Sequence, residues 1–111
     1  MQQSVNINTI YNNIINYCNA RRSLGFKVAV CTILPRTGGT PPVGFEENRL
    51  ALNALIRSGF TGFADGLVDL AYSSNLSTTT DTTYFNVDQI HLTNAGYNIV
   101  ANLVYQVIKD W

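Results

Sequence analysis

Ile7, Ile10, Tyr11, Ile14, Ile15 and Cys18 recur every three or four residues, which places them on one stripe of a helix running from about Val5 to Leu24. Arg21 and Arg22 fall in its last turn, where cations suit the negative end of the helix dipole, and Gly25 is placed to end it in the left-handed conformation. The pattern then changes. Lys27 to Leu34 is β-branched and apolar on both sides from Val28 onward, as expected of a strand covered by helices on both faces of a parallel sheet. Pro35 stops it, and the stretch from Arg36 to Gly44, with its Gly-Gly and Pro-Pro pairs, is a loop at the strand's carboxyl end, where open α/β sheets place their active sites. Phe45 to Ser58 predicts a second helix: Glu46 and Glu47 occupy its first turn, Leu50, Ala51, Leu52, Ala54, Leu55 and Ile56 form a broad apolar surface, and Gly59 follows. A short strand is expected near Gly66 to Asp69, then a polar loop without periodicity from Ser73 to Thr83. Thr93 reads as the N-cap of a last helix whose inner stripe is Tyr97, Val100, Ala101, Val104, Val107, Ile108 and Trp111. Strands and helices in this order imply an α/β fold in three layers, α/β/α.

Composition narrows the function. The 111 residues suffice for one unit, and seven basic against seven acidic residues, without a basic stripe, argue against nucleic acid as a partner. The longest apolar run, Val28 to Leu34, is too short to span a bilayer, and the amino terminus lacks the order of a secretory signal. Low charge with abundant Asn, Ser and Thr leans toward an extracellular source without fixing it. Cys18 and Cys31 sit at different heights, back along a helix and out along a strand, so two buried free thiols are expected rather than a disulfide. Neither lies at a metal-ligand spacing and there is one histidine, so no metal or cofactor is expected. Gly38 and Gly39 lack the G-K-[ST] or G-x-G-x-x-G context of a phosphate cradle and read as turn residues. Asp65 and Asp69, four apart, invite a glycosidase reading, but an element this short does not hold both in one pocket.

The chemistry gathers at Val87-Asp88-Gln89-Ile90-His91-Leu92-Thr93. A carboxylate three residues before the only histidine is placed to accept from Nδ1–H and leave Nε2 as a proton acceptor, the orienter and base of a hydrolytic triad. By itself D-x-x-H also fits a surface or core histidine. Its surroundings carry more. Asp88-Gln89-Ile90-His91-Leu92-Thr93 with Gly96-Tyr97 and Ala101 resembles the last conserved block of the SGNH (GDSL-type) hydrolases. Gly25-Phe26-Lys27-Val28, Thr32-Ile33-Leu34-Pro35-Arg36, Leu52 to Arg57 and Ala64 to Ala71 resemble the same family in the same order.

The resemblance implies the carboxy-terminal half of a three-layer, flavodoxin-like parallel sheet, with His91 as general base and Asp88 as its orienter in an ester hydrolase. The family's Gly-Asp-Ser nucleophile block and its oxyanion-hole glycine and asparagine have no counterpart here. Ser4, Ser23 and Ser58 lie in or beside helices, and Ser73, Ser74 and Ser77 lie in a loop without a nucleophile elbow. The serine is therefore expected from outside this chain, from the missing amino-terminal half or another polypeptide, and the partner is that half or a second copy of the chain. Tyr84 and Phe85, two aromatics just ahead of Asp88, are the candidate substrate contacts, the substrate being an ester. The competing reading is a non-catalytic α/β remnant or assembly module of the same fold.

Overall fold

The Asn6 side chain accepts from the amides of Asn8 and Thr9, satisfying two of the donors that a helix start leaves free. It caps the first helix, α1 (Ile7–Ser23). The computed structural model describes residues 6–111, so Val5, where the periodicity begins, lies outside the described residues. The stripe inferred from spacing is the packed one: Ile7, Ile10, Tyr11, Ile14 and Ile15 are half-buried around Cys18, which is buried. Gly25, at φ +92°, donates to Arg22 O and ends the helix as expected.

Two short parallel strands follow, β1 (Ala29–Cys31) and β2 (Gly66–Val68), paired Ala29 to Gly66, Val30 to Leu67 and Cys31 to Val68. A parallel pair needs a crossover, and α2 (Phe45–Gly59) is part of it. The first strand is shorter than the apolar run from Val28 to Leu34 because side chains take over the ladder beyond it. Thr32 N still donates to Val68 O, but the Thr32 hydroxyl donates to Asp69 Oδ1 and accepts from Ala71 N. Ile33 is held by Asn53 of α2, whose carboxamide accepts from Ile33 N at 2.8 Å and donates to Ile33 O at 3.0 Å. Asn53 is wholly buried and does for Ile33 what a neighbouring strand would do. Removing it takes the partner from the half-buried Ile33 amide and opens a cavity where the Asn53 side chain was wholly buried. Asn53→Ala is accordingly expected to lower stability by about 2 to 3 kcal/mol, read as a reduced urea midpoint at constant slope. An unchanged midpoint counts against that role.

Alternation along the strands sends Val30 and Leu67 into a core shared with α1 and α2, where they meet Cys18, Leu52, Ile56 and Phe63. Gly66 and Val68 face the last helix, α3 (Asn94–Ile108), which Thr93 caps by accepting from Gly96 N. A β-carbon at Gly66 would lie 2.6 Å from Val107, so glycine lets α3 approach β2 this closely.

Several expectations need correcting. Because α3 lies over β2, the side of β1 that carries Cys31 is uncovered, and Cys31 is exposed rather than buried; both thiols are free. Within the run from Val28 to Leu34, Val28, Val30 and Ile33 pack on the first core and Leu34 on a second cluster, while Cys31 is left exposed. In α3 the half-buried stripe contains Ile99, Val100, Leu103, Val104 and Val107, whereas Tyr97, Ala101, Ile108 and Trp111 are exposed. In α2 the buried residues are Leu52, Asn53 and Ile56, leaving Leu50, Ala51 and Ala54 outside. The expected polar loop from Ser73 to Thr83 also contributes to the core: Ser74–Leu76 forms one 3₁₀ turn, and Leu76 is fully buried with Phe85 and Leu92 in the second cluster. No helix among the described residues is long and apolar enough to cross a membrane.

Candidate active site

The second cluster supports the candidate pair. Phe85 and Leu92 form an antiparallel bridge, with Asn86 N donating to His91 O at 2.8 Å and Thr93 N to Tyr84 O at 3.0 Å. Their buried side chains anchor the two legs of a small loop that carries Asp88 and His91 on its exposed tip. Gly96 completes the base. A β-carbon there would lie 2.3 Å from Tyr84 O, so only glycine lets the first turn of α3 sit against this loop.

At the tip Asp88 has two tasks. Its Oδ1 accepts from the amides of Ile90 at 2.9 Å and His91 at 3.0 Å, closing a turn of the kind aspartate favours. Its Oδ2 lies 2.5 Å from His91 Nδ1. The hydrogen bond from the imidazole, followed by those two amides, holds the Asp88 carboxyl at about 2, so it is ionised at any ordinary pH. With Nδ1 committed to Asp88, the neutral ring carries its proton there and turns an unprotonated Nε2 outward. Nε2 has no hydrogen-bond partner among the described residues, and the His91 side chain is 65 % exposed. The arrangement can accept a proton at Nε2 and stabilise the resulting imidazolium against Asp88.

The aromatic pair divides. Phe85 is 1 % exposed and belongs to the core under the loop, so it is not available to a substrate; Tyr84 is half-buried against the same cluster. The hydroxyls of Ser23, Ser58 and Ser77 donate to backbone carbonyls within their own turns, and no described serine bonds His91. Asp65 and Asp69 have separate duties. Asp65 accepts from Val28 N and lies 3.4 Å from Arg22, while Arg57 grips Asp69 with two nitrogens, at 2.8 and 2.9 Å. The Arg57 guanidinium, with the Thr32 hydroxyl, pulls the Asp69 carboxyl below its ordinary value, so it is a structural anion rather than half of an acid–base pair. No group of three His, Cys, Asp or Glu side chains that could hold a metal ion occurs among the described residues. An apolar pocket of about 270 Å³, lined by Ile7, Ile10, Ile33, Pro42, Phe45 and Leu52, does not include Asp88 or His91 in its wall.

One set of residues was missed by sequence reasoning. Gln89, between the aspartate and the histidine, has φ +60°, a left-handed conformation seldom taken by a residue with a side chain. The loop after β1 holds it there. Thr37 N and Gly38 N both donate to Gln89 O, and the Thr37 hydroxyl donates to Gln89 Oε1 at 2.9 Å. Gly38 is more than a turn residue: a β-carbon on it would fall 1.5 Å from Asp88 O. The Gly-Gly pair was the only available signal, since the partners of Thr37 lie 42 and 52 residues away.

Comparison of the chain with protein-family models and with curated proteins gives no match.

Proposed function

We propose that this chain supplies the orienter and general base of an SGNH-type ester hydrolase, with Asp88 and His91 in those roles. In this reading β1 and β2 belong to a larger three-layer α/β/α sheet, and the serine and oxyanion donors come from another polypeptide or a segment beyond these residues. The observation that carries it is the division of labour at Asp88. One oxygen fixes the backbone turn, the other fixes the imidazole at 2.5 Å, and Nε2 is left open to solvent. A histidine serving only to pack would be buried with both nitrogens occupied. His91 instead stands at the tip of a loop anchored by Phe85, Leu92 and Gly96, as a base needs to stand to meet a hydroxyl approaching from outside.

The serine takes the part of nucleophile in the proposed reaction. His91 Nε2 removes its proton as the oxygen attacks the ester carbonyl, and the imidazolium is stabilised by Asp88 until it protonates the leaving alcohol. Water then repeats the sequence to release the acid. The test separates this chain's share from the rest. Alone, the 111 residues are expected to take no label from an organophosphonate probe, because an Asp–His pair without nucleophile or oxyanion donors retains little of a triad's power. Stoichiometric labelling of Ser73, Ser74 or Ser77 in the isolated chain would overturn the external nucleophile.

A further inference from the structure

We propose that Thr37, on the loop after β1, is a positioning residue for the Asp88–His91 pair, locking the turn at Gln89 so that His91 keeps its proton on Nδ1 and presents Nε2. This deepens the hydrolase reading and rests on the same pair, but concerns a ground-state property that exists without substrate.

The geometry forms a latch of three side chains and two amides. Thr79 is buried, and its hydroxyl lies 2.5 Å from that of Thr37. Thr37 has one hydroxyl proton and donates it to Gln89 Oε1, so Thr79 must be the donor to Thr37, and the chain of bonds runs Thr79 to Thr37 to Gln89. The amides of Thr37 and Gly38 hold the Gln89 carbonyl at 3.2 and 3.3 Å. Arg36 stiffens the same loop, donating from Nη2 to Gly38 O. Gln89 therefore has its side chain, carbonyl and left-handed backbone all fixed by one segment, and Gly38 lets that segment touch the Asp88 carbonyl.

The consequence for His91 follows from sequence distance. Asp88 and His91 flank Gln89, so the angle between carboxylate and imidazole depends on the Gln89 torsion. Without tethers a residue carrying a β-carbon leaves the left-handed region, and the turn that points both side chains at each other opens. A neutral histidine released from Asp88 returns to its ordinary preference for the Nε2–H tautomer, which is the wrong one for a base at Nε2.

The chain contains one histidine, so the tautomer is directly readable from the imidazole ¹⁵N shifts of the whole protein in alkaline buffer. The unaltered chain is expected to be mainly Nδ1–H. Thr37→Val is expected to move it to mainly Nε2–H, as does the reference variant Asp88→Asn, and Thr37→Ser, which restores the hydroxyl, is expected to restore Nδ1–H. Circular dichroism at the same temperature verifies that each variant is folded. If Thr37→Val does not fold, Gln89→Ala removes the acceptor while keeping the demand for a tether, and the same shift is expected. Loss of Nδ1–H in Asp88→Asn with its retention in a folded Thr37→Val, or in Gln89→Ala where that variant stands in, overturns the latch alone. An unaltered chain already in the Nε2–H form overturns the latch and the paired site together. A tautomer switch in a chain that never supports ester hydrolysis in any assembly leaves the latch standing and removes the hydrolase reading.

Discussion

Replacing His91 by alanine is expected to abolish ester hydrolysis in any assembly of this chain that shows it, and Asp88→Asn is expected to reduce turnover on the order of a thousand- to ten-thousand-fold. The two effects have different origins. In the proposed reaction, His91→Ala removes the atom that would accept the serine proton. Asp88→Asn puts a carboxamide of the same shape in place of the carboxylate, exchanging a pure acceptor for a group that can also donate, so the ring loses the bond that keeps its proton on Nδ1. Neither change disturbs the core, since both side chains are largely exposed and the loop beneath them is held by Phe85, Leu92 and Gly96. Folding should survive, which circular dichroism at matched concentration establishes before turnover of a p-nitrophenyl ester is compared. The direction of the Asp88 shift adds a further constraint. A carboxyl whose folded pKa is depressed contributes stability above its unfolded value and loses it as pH falls through the folded one. With Asp88 at about 2, the pair retains its carboxylate charge through every practical assay pH, and a loss of activity on mild acidification belongs to another group. Unchanged turnover by His91→Ala would remove the base role outright.

In solution the chain is expected to associate, and light scattering should return a mass above the 12.3 kDa of one copy at micromolar concentration. The expectation comes from β1. Its pairing with β2 uses the backbone groups of Val28, Val30 and Thr32, so those of Ala29 and Cys31 point to the opposite edge, where no strand lies among the described residues. Beside that edge runs a groove whose walls include Ile10, Ile14, Tyr17 and Val28. A two-stranded sheet is marginal in water, and an open edge with apolar flanks invites further pairing. If a partner covers on the order of 300 Å² of apolar surface there, the gain at about 25 cal/mol per Å² is about 7 kcal/mol, comparable with the net stability of a domain. The proposed amino-terminal half of the fold or a second copy of the chain would cover this edge. A mass of 12.3 kDa together with a cooperative thermal transition would show a chain that is stable by itself, and would remove the energetic reason for a partner.

Helices and the paired Asp88–His91 motif were legible from the chain because their signals are local. The spacing from Ile7 to Cys18, the acidic first turn of α2, and Thr93 before α3 each report on the backbone that carries them, and all three helices lie where those signals put them. Asp88 and His91 are three residues apart, close enough for a single turn to join them, so their pairing needed little from the rest of the molecule. Tertiary structure decided everything that depends on what lies across a gap. Whether an apolar strand is buried on two faces or one turns on the neighbour above it. Since α3 rests over β2, Cys31 is exposed although its residue type and surroundings suggested a core position. Phe85 looked like a ligand contact by its place beside Asp88, yet its side chain meets Leu76 and Leu92 and supports the loop instead. Asn53, in the middle of an apolar helix face, is a polar exception whose purpose is visible only with Ile33 opposite it. The latch on Gln89 is the extreme case, because Thr37 and Thr79 carry no pattern that ties them to the site and the torsion they hold is not a property of glutamine. Periodicity reports how a segment folds on itself; only the tertiary structure brings Gly38 against Asp88, 50 residues further along the chain.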